Sequence, residues 1–257
     1  MKVTLLGTGT SGGVPVLGCN CEVCRSRNPK DKRLRCAALV EQDDIRILID
    51  AGPDIRQQLL GQTFKKINAV FITHSHYDHI GGMDDLRPFT YAFNGLDIYC
   101  EASVDADLHR IMPYCFPSDP RLLYPGAPVL RVHEICPHEQ VNIGAIQVMP
   151  LRIMHDKLPI LGYRFGSFAY ITDMKTMGDE EYEYLKGVDY LVINALRWEK
   201  PHHSHQLVGD AIRVSRRIGA KHTWFIHLTH YIGFHDEANK RLPEGFEFAY
   251  DGQVLNL

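Results

Sequence analysis

Three imidazoles and a carboxylate fall within the six residues His74-Ser75-His76-Tyr77-Asp78-His79. Imidazole nitrogen and carboxylate oxygen are the ligands that Zn²⁺ and related divalent ions take, and a bound ion can activate water for hydrolytic attack. A purely structural role would leave several imidazoles packed together without partners, which is costly once they are buried. A cation removes that cost. The preceding Ala69-Val70-Phe71-Ile72-Thr73 reads as a short buried strand, and Ile80-Gly81-Gly82-Met83-Asp84 as a glycine-eased entry into a helix. The ligands are therefore expected on a strand-to-helix loop. Residues two apart at a strand end project to the same side, so His74 and His76 can share one ion while Asp78 and His79, beyond the turn, face a second.

One loop cannot complete two coordination spheres, so further ligands should sit at other strand ends. His155 closes the apolar run Ile146–Met154, Asp173 closes Phe168–Thr172, and His227 closes Thr223–Ile226. Each stands at the carboxyl end of a β-like segment, where an α/β sheet opens its crevice. A separate cluster is formed by Cys19, Cys21 and Cys24. The chain has seven cysteines, an odd number, and so tight a group in a reducing compartment points to a metal rather than to disulfides. A tetrahedral zinc needs a fourth ligand, for which His230 is the first choice, with His235, His222 and Cys36 as alternatives. Cys36, Cys100, Cys115 and Cys136 otherwise read as small buried hydrophobes.

The elements that must position these groups are mostly strands. Lys2–Leu6 is one, and the glycine-rich Gly7–Gly13 after it lacks a following helix, so it reads as a tight loop that lets backbone approach the site rather than as a dinucleotide fingerprint. Ala37–Glu41 and Ile45–Asp50 suggest a hairpin, and Asp54–Leu60 a short helix capped by its aspartate. Phe116–Pro128, with four prolines and a glycine, reads as loop. The chain is expected to end in a hairpin with Asp251-Gly252 as its turn. Helices near Val104–Met112, Asp179–Lys186 and Gln206–Ile218 are spread through both halves, which implies two mixed sheets packed face to face with helices outside.

With 257 residues, 45% of them hydrophobic and 23% charged, the chain reads as an ordinary globular protein. A net charge of −3 offers no general attraction for DNA, RNA or anionic membrane. The apolar run at the amino terminus is too short for a signal-peptide core, and no segment approaches the length of a membrane span, so a cytoplasmic location is expected. The basic stretch Arg25–Arg35 reads as a solvated loop.

His-x-His-x-Asp-His followed by a downstream His, Asp and His resembles the metallo-β-lactamase superfamily over essentially the whole chain. The resemblance implies a single domain over residues 1–257 with a four-layer αββα sandwich, the metals lying at one edge of its two mixed sheets. It implies that His74, His76 and His155 hold one ion, that Asp78, His79 and His227 hold the other, and that Asp173 bridges them. Two such ions can share a hydroxide as nucleophile, with Asp78 as a catalytic carboxylate. Zn²⁺ is the first choice, Mn²⁺ and Fe the alternatives.

The glycine-rich first loop, Cys-x-Cys-x-x-Cys and His-x-x-His narrow the resemblance to phosphoribosyl cyclic phosphodiesterase (PhnP-like) proteins, which implies a structural zinc on Cys19, Cys21, Cys24 and His230. A leaving alkoxide needs a proton, and His205 matches a family histidine in the right place, with His202 and His203 crowding the segment. The activity implied is cleavage of a small cyclic or nucleotide-like phosphodiester, with neither long nucleic acid nor membrane as partner and a second copy of the chain as a candidate one. Hydrolysis of a thioester or another ester, or a non-hydrolytic role like that of PqqB-like proteins, are the alternatives.

Overall fold

The computed structural model describes residues 1–117 and 119–257. Ser118, inside the stretch read as loop, lies outside them. The first sheet is built from β1 (Lys2–Gly7), β2 (Ala37–Gln42), β3 (Ile45–Ile49), β4 (Ala69–Phe71), β5 (Leu96–Cys100) and β6 (Leu130–Glu134), hydrogen-bonded in that order. The second contains β7 (Val141–Ile143), β8 (Ile146–His155), β9 (Leu158–Phe165), β10 (Phe168–Ile171), β11 (Thr176–Met177), β12 (Tyr190–Asn194), β13 (His222–Ile226) and β14 (Phe246–Phe248). Its order is β11-β8-β9-β10-β12-β13-β14, with β7 beside β8. The last strand, β15 (Gln253–Asn256), returns to the first sheet and pairs antiparallel with β1.

Strand periodicity explains the layering. In β3, β4, β12 and β13 alternate residues enter different cores: Ile47, Ile49, Ala69, Phe71, Val192, Trp224 and Ile226 pack between the sheets. Leu48 and Val70 face the outer core of the first sheet, and Leu191, Ile193 and Phe225 that of the second. Both faces are buried, which is why these strands read as continuous apolar runs. Helices cover the outer faces, Ala102–Ile111 on the first and Val208–Ile218 on the second, through side chains such as Leu108 and Ala211. The four-layer sandwich is thus present. Among the described residues no helix is long and apolar enough to cross a membrane.

Phe71 is fully buried, stacks on Tyr99 at 4.8 Å between centroids and meets Tyr163 edge-on at 5.2 Å. Phe71→Ala is expected to destabilise the fold by about 3–5 kcal/mol. Urea unfolding reads this directly, and a loss below about 1 kcal/mol would show that the sheets do not depend on this contact.

β3, β4, β5 and β6 run parallel, as do β10, β12, β13 and β14. β8 is antiparallel to β9, which is antiparallel to β10, so β8 and β10 share a direction. The carboxyl ends of β8, β10 and β13 therefore open at one edge of the second sheet.

Four local expectations are corrected. Cys136 is exposed, whereas Cys36, Cys100 and Cys115 are buried as expected. No terminal hairpin forms: β14 pairs parallel with β13 and β15 with β1, so the Asp251-Gly252 turn passes from one sheet to the other. The Asp251 carboxylate accepts from Thr8 N, Thr8 Oγ1 and Leu34 N, which fastens the turn to the first loop. Asp54 precedes the helix Ile55–Leu60 but makes no capping bond, because its carboxylate accepts from the Arg35 backbone and guanidinium. The Arg25–Arg35 stretch is not uniformly solvated. Arg33 is buried and donates to Thr8 Oγ1 and the Ala249 carbonyl.

Candidate metal centre

The motif is divided between a loop and a helix. His74 and His76 follow β4 in the loop, whereas Asp78 and His79 lie in the helix Tyr77–Ile80, which begins three residues earlier than the glycine signal suggests. Gly52 and Gly82 make its docking against the turn after β3 feasible. A Cβ on Gly52 would come within 2.0 Å of the Asp78 carbonyl oxygen, and one on Gly82 within 2.1 Å of the Gly52 carbonyl oxygen.

Two groups of side chains result. One ligand atom each from His74, His76 and His155 lie within 4.8 Å of one another, and the same holds for Asp78, His79, Asp173 and His227. Asp173 also joins His155 and His205 in a third such group, so it stands between the first two. All seven expected ligands are brought together, and His205 with them.

Neighbouring hydrogen bonds set which nitrogen of each ring is free. The Thr73 hydroxyl donates to Asp50, so it can accept from His74 Nδ1 at 3.0 Å, leaving His74 Nε2 to face His76 Nδ1. His155 Nδ1 donates to the Ser204 carbonyl at 3.0 Å, and His79 Nδ1 to Asp50 Oδ2 at 2.7 Å. His227 Nε2 meets Thr10 Oγ1 at 3.0 Å, so its Nδ1 is the one turned toward Asp173, 3.2 Å from Oδ2. Such outer partners fix ring orientation and tautomer at metal sites.

Asp50 and Thr10 were missed in reading the sequence. Asp50 had a signal, an acid at the end of an apolar strand, but its role depends on β3 lying parallel to β4, which places its carboxylate under Thr73 and His79. Asp50, Asp173 and His227 also share a left-handed backbone, with φ of 61°, 55° and 57°. For non-glycine residues this costs of order 1 kcal/mol each, and the three sit where strands break to deliver side chains.

The electrostatics are those of a centre built for cations. Burial alone would raise the Asp173 carboxyl, but His227 and His79 hold it well below the usual range. Burial would likewise depress both imidazoles, yet Asp173 together with Asp50 pushes His79 well up, and Asp173 brings His227 to about 10. Burial and then His79 push His74 well down, and burial and then His227 push His205 down to about 2. Among the described residues of the site, three buried imidazole nitrogens have no hydrogen-bond partner: His79 Nε2, His227 Nδ1 and His205 Nδ1. They lie 3.3, 3.2 and 3.9 Å from the Asp173 carboxylate. Unpartnered ring nitrogens converging on a carboxylate are what a pair of divalent cations would satisfy, the cations displacing any protons the rings carry, so the donor set fits such ions.

The cysteine cluster forms a second centre. Cys19, Cys21, Cys24 and His230 each present a ligand atom within 4.8 Å of the others, with Cys24 Sγ 3.5 Å from His230 Nδ1. Backbone N–H groups of Cys24 and Val16 donate to the Cys21 and Cys24 sulfurs. The alternative fourth ligands are engaged elsewhere: His235 with Arg33 and Asn239, His222 with Glu247, and Cys36 with the Gly9 carbonyl.

Comparison with known proteins identifies the family and the fold. Residues 45–228 match a family model described as "Beta-lactamase superfamily domain". A crystal structure of "a New Diphosphatase from the PhnP Family" is 37% identical, with a TM-score of 0.90 over 100% of this chain and 97% of that one. Zn²⁺-bound PqqB from Methylobacterium extorquens aligns over the full length of both chains with a TM-score of 0.71, but at 19% identity shares the fold alone. A protein of Porphyromonas gingivalis (strain ATCC BAA-308 / W83) named octanoyltransferase is 44% identical over 98% of this chain and 51% of its own length. This chain thus spans only about half of that relative.

Proposed function

Because this chain belongs to the beta-lactamase superfamily, we propose that it is a metal-dependent hydrolase cleaving a small cyclic or nucleotide-like phosphodiester. In this reading His74, His76 and His155 hold one divalent ion, Asp78, His79 and His227 a second, and Asp173 bridges them, while Cys19, Cys21, Cys24 and His230 hold a structural zinc. The observation that carries it is the set of three buried, unpartnered imidazole nitrogens around Asp173. The likeness to a PhnP-family diphosphatase supports phosphorus as the atom attacked.

Bound there, divalent ions would supply Lewis-acid stabilisation of a phosphoryl oxygen and make a water more acidic. The protein's own groups do the rest. Asp78, kept ionised by His79 although burial opposes it, orients the attacking water by accepting its hydrogen bond. His205 serves as proton donor to the leaving oxygen. Burial and then His227 depress its imidazole to about 2, and an anionic substrate beside the ring would favour the protonated form. The net charge of −3 suits a small substrate in the cytoplasm better than a long polyanion.

A second reading, thioester hydrolysis, is favoured by the octanoyltransferase relative, although that name describes a protein about twice this length. Metal-reconstituted protein separates the two. Turnover of bis(p-nitrophenyl) phosphate and cyclic AMP, lost in His76→Ala, is the expected result; turnover of octanoyl thioesters alone would overturn the phosphodiesterase reading. In the same assay His205→Ala should slow cyclic AMP, whose alkoxide needs protonation, by about 100-fold. Bis(p-nitrophenyl) phosphate, whose leaving group needs no proton, should slow by less than about tenfold. Equal losses on both would remove the acid role.

A further inference from the structure

His205 lies in a segment without regular structure, between the end of β12 at Asn194 and the helix that starts at Val208. A proton donor in such a segment needs something to hold it, because a displacement of about 1 Å at a reacting group can cost about 100-fold in rate. Backbone bonds brace the far end: Leu196 N donates to the Gln206 carbonyl, and Gln206 N to the Met174 carbonyl. The buried Gln206 side chain donates to the Asn194 carbonyl, and the buried Asn194 side chain bonds both backbone groups of Met174. These ties fix residue 206. Within the His202–His205 turn Ser204 bonds the His202 ring, and among the described residues two side chains from other segments hydrogen-bond its backbone, the His155 ring on the Ser204 carbonyl and the ammonium of Lys175.

Lys175 Nζ donates to the His202 carbonyl at 2.6 Å and to the His205 carbonyl at 3.3 Å, spanning the turn from its first residue to its last. The same residue lies two positions after Asp173, and its backbone N–H donates to the carbonyl of Met154, the residue before His155. Three segments that deliver site groups, the ends of β8 and β10 and the His205 turn, therefore meet at one lysine. Its half-buried charge goes to two carbonyl oxygens, bonds that are stronger than neutral ones and that a shorter or uncharged side chain cannot reproduce.

We propose that Lys175 is a positioning residue for His205, clamping the His202–His205 turn so that the imidazole stays at its working distance from Asp173. The inference rests on the reading of His205 as the proton donor and is tested so that the two can fail separately. Lys175→Met, Lys175→Arg, His205→Ala and the double variant Lys175→Met/His205→Ala are loaded with metal, and kcat and KM are measured on cyclic AMP together with metal content. Lys175→Met is expected to lower kcat about tenfold with KM and metal content unchanged, and Lys175→Arg to recover most of that loss. In the His205→Ala background Lys175→Met should have no further effect, since a residue acting only through His205 has nothing left to act on. Additive losses in the double variant, or a Lys175→Met enzyme with wild-type kcat, would overturn the inference while leaving His205 standing. Wild-type kcat for His205→Ala would remove the His205 reading, and the inference with it. So would a metal-loaded protein that leaves cyclic AMP intact.

Discussion

Asp173→Asn is expected to lower kcat/KM for phosphodiester cleavage by about 1000-fold and to leave at most one ion at the paired site. Among the described residues the carboxylate is the only group that belongs both with Asp78, His79 and His227 and with His155 and His205. An amide keeps its shape but loses the charge, and places either a neutral oxygen or an N–H where Oδ2 now faces His79 Nε2 and His227 Nδ1. Asparagine also tolerates the left-handed backbone at this position, φ 55°, so the turn should survive and loss of activity should not report unfolding. Steady-state kinetics, metal analysis and a thermal melt on the same sample make the check. Activity within tenfold of the parent with two ions retained would show that Asp173 bridges nothing.

If the cysteine cluster holds the proposed zinc, Cys24→Ser is expected to remove it and to cost about 5 kcal/mol of stability, since a closed thiolate site contributes its binding energy to folding. Cys24 is the buried member of its cluster, and its sulfur faces His230. His230 stands three residues beyond His227, whose neighbour Leu228 exchanges backbone bonds with Thr8 and Thr10 of the first loop. Loss of the zinc should therefore loosen the strand end that delivers His227, and the activity should fall along with the unfolding midpoint. Denaturant unfolding and zinc analysis decide the matter. An unchanged midpoint with no zinc lost would mean that the cysteines hold nothing.

Most of the candidate site was legible because its expected ligands occupy the simplest positions a sheet offers. His155 ends β8, His227 follows β13 directly, and Asp173 lies two residues past β10, each after an apolar run that marks the strand. The resemblance then distributed them between ions, and the structure gathers the same residues. What escaped depends on contacts between distant segments. Asp50 matters only because β3 and β4 are parallel neighbours, and Thr10 only because the first loop reaches the end of β13. Arg33 looks like one basic residue among many, yet it is buried against Thr8, Ala249 and His235, residues that no local pattern connects to it.

The misread elements have the same origin. Asp54 has the right residue type before a helix, but Arg35 offers its carboxylate a guanidinium and a backbone N–H, which outcompete a capping bond. Asp251-Gly252 has hairpin-turn chemistry, but the strands on either side are claimed by different sheets. Local propensity was overridden in both cases by tertiary partners.

The central claim is that two cations lie side by side between the ends of separate strands. It is tested most directly by anomalous diffraction from crystals of the metal-loaded protein, with data at the zinc and manganese edges. The account predicts two peaks about 4 Å apart, one among His74, His76 and His155, the other among Asp78, His79 and His227, with Asp173 between them. A structure in which these side chains keep their positions while no ion, or only one, lies among them would contradict it.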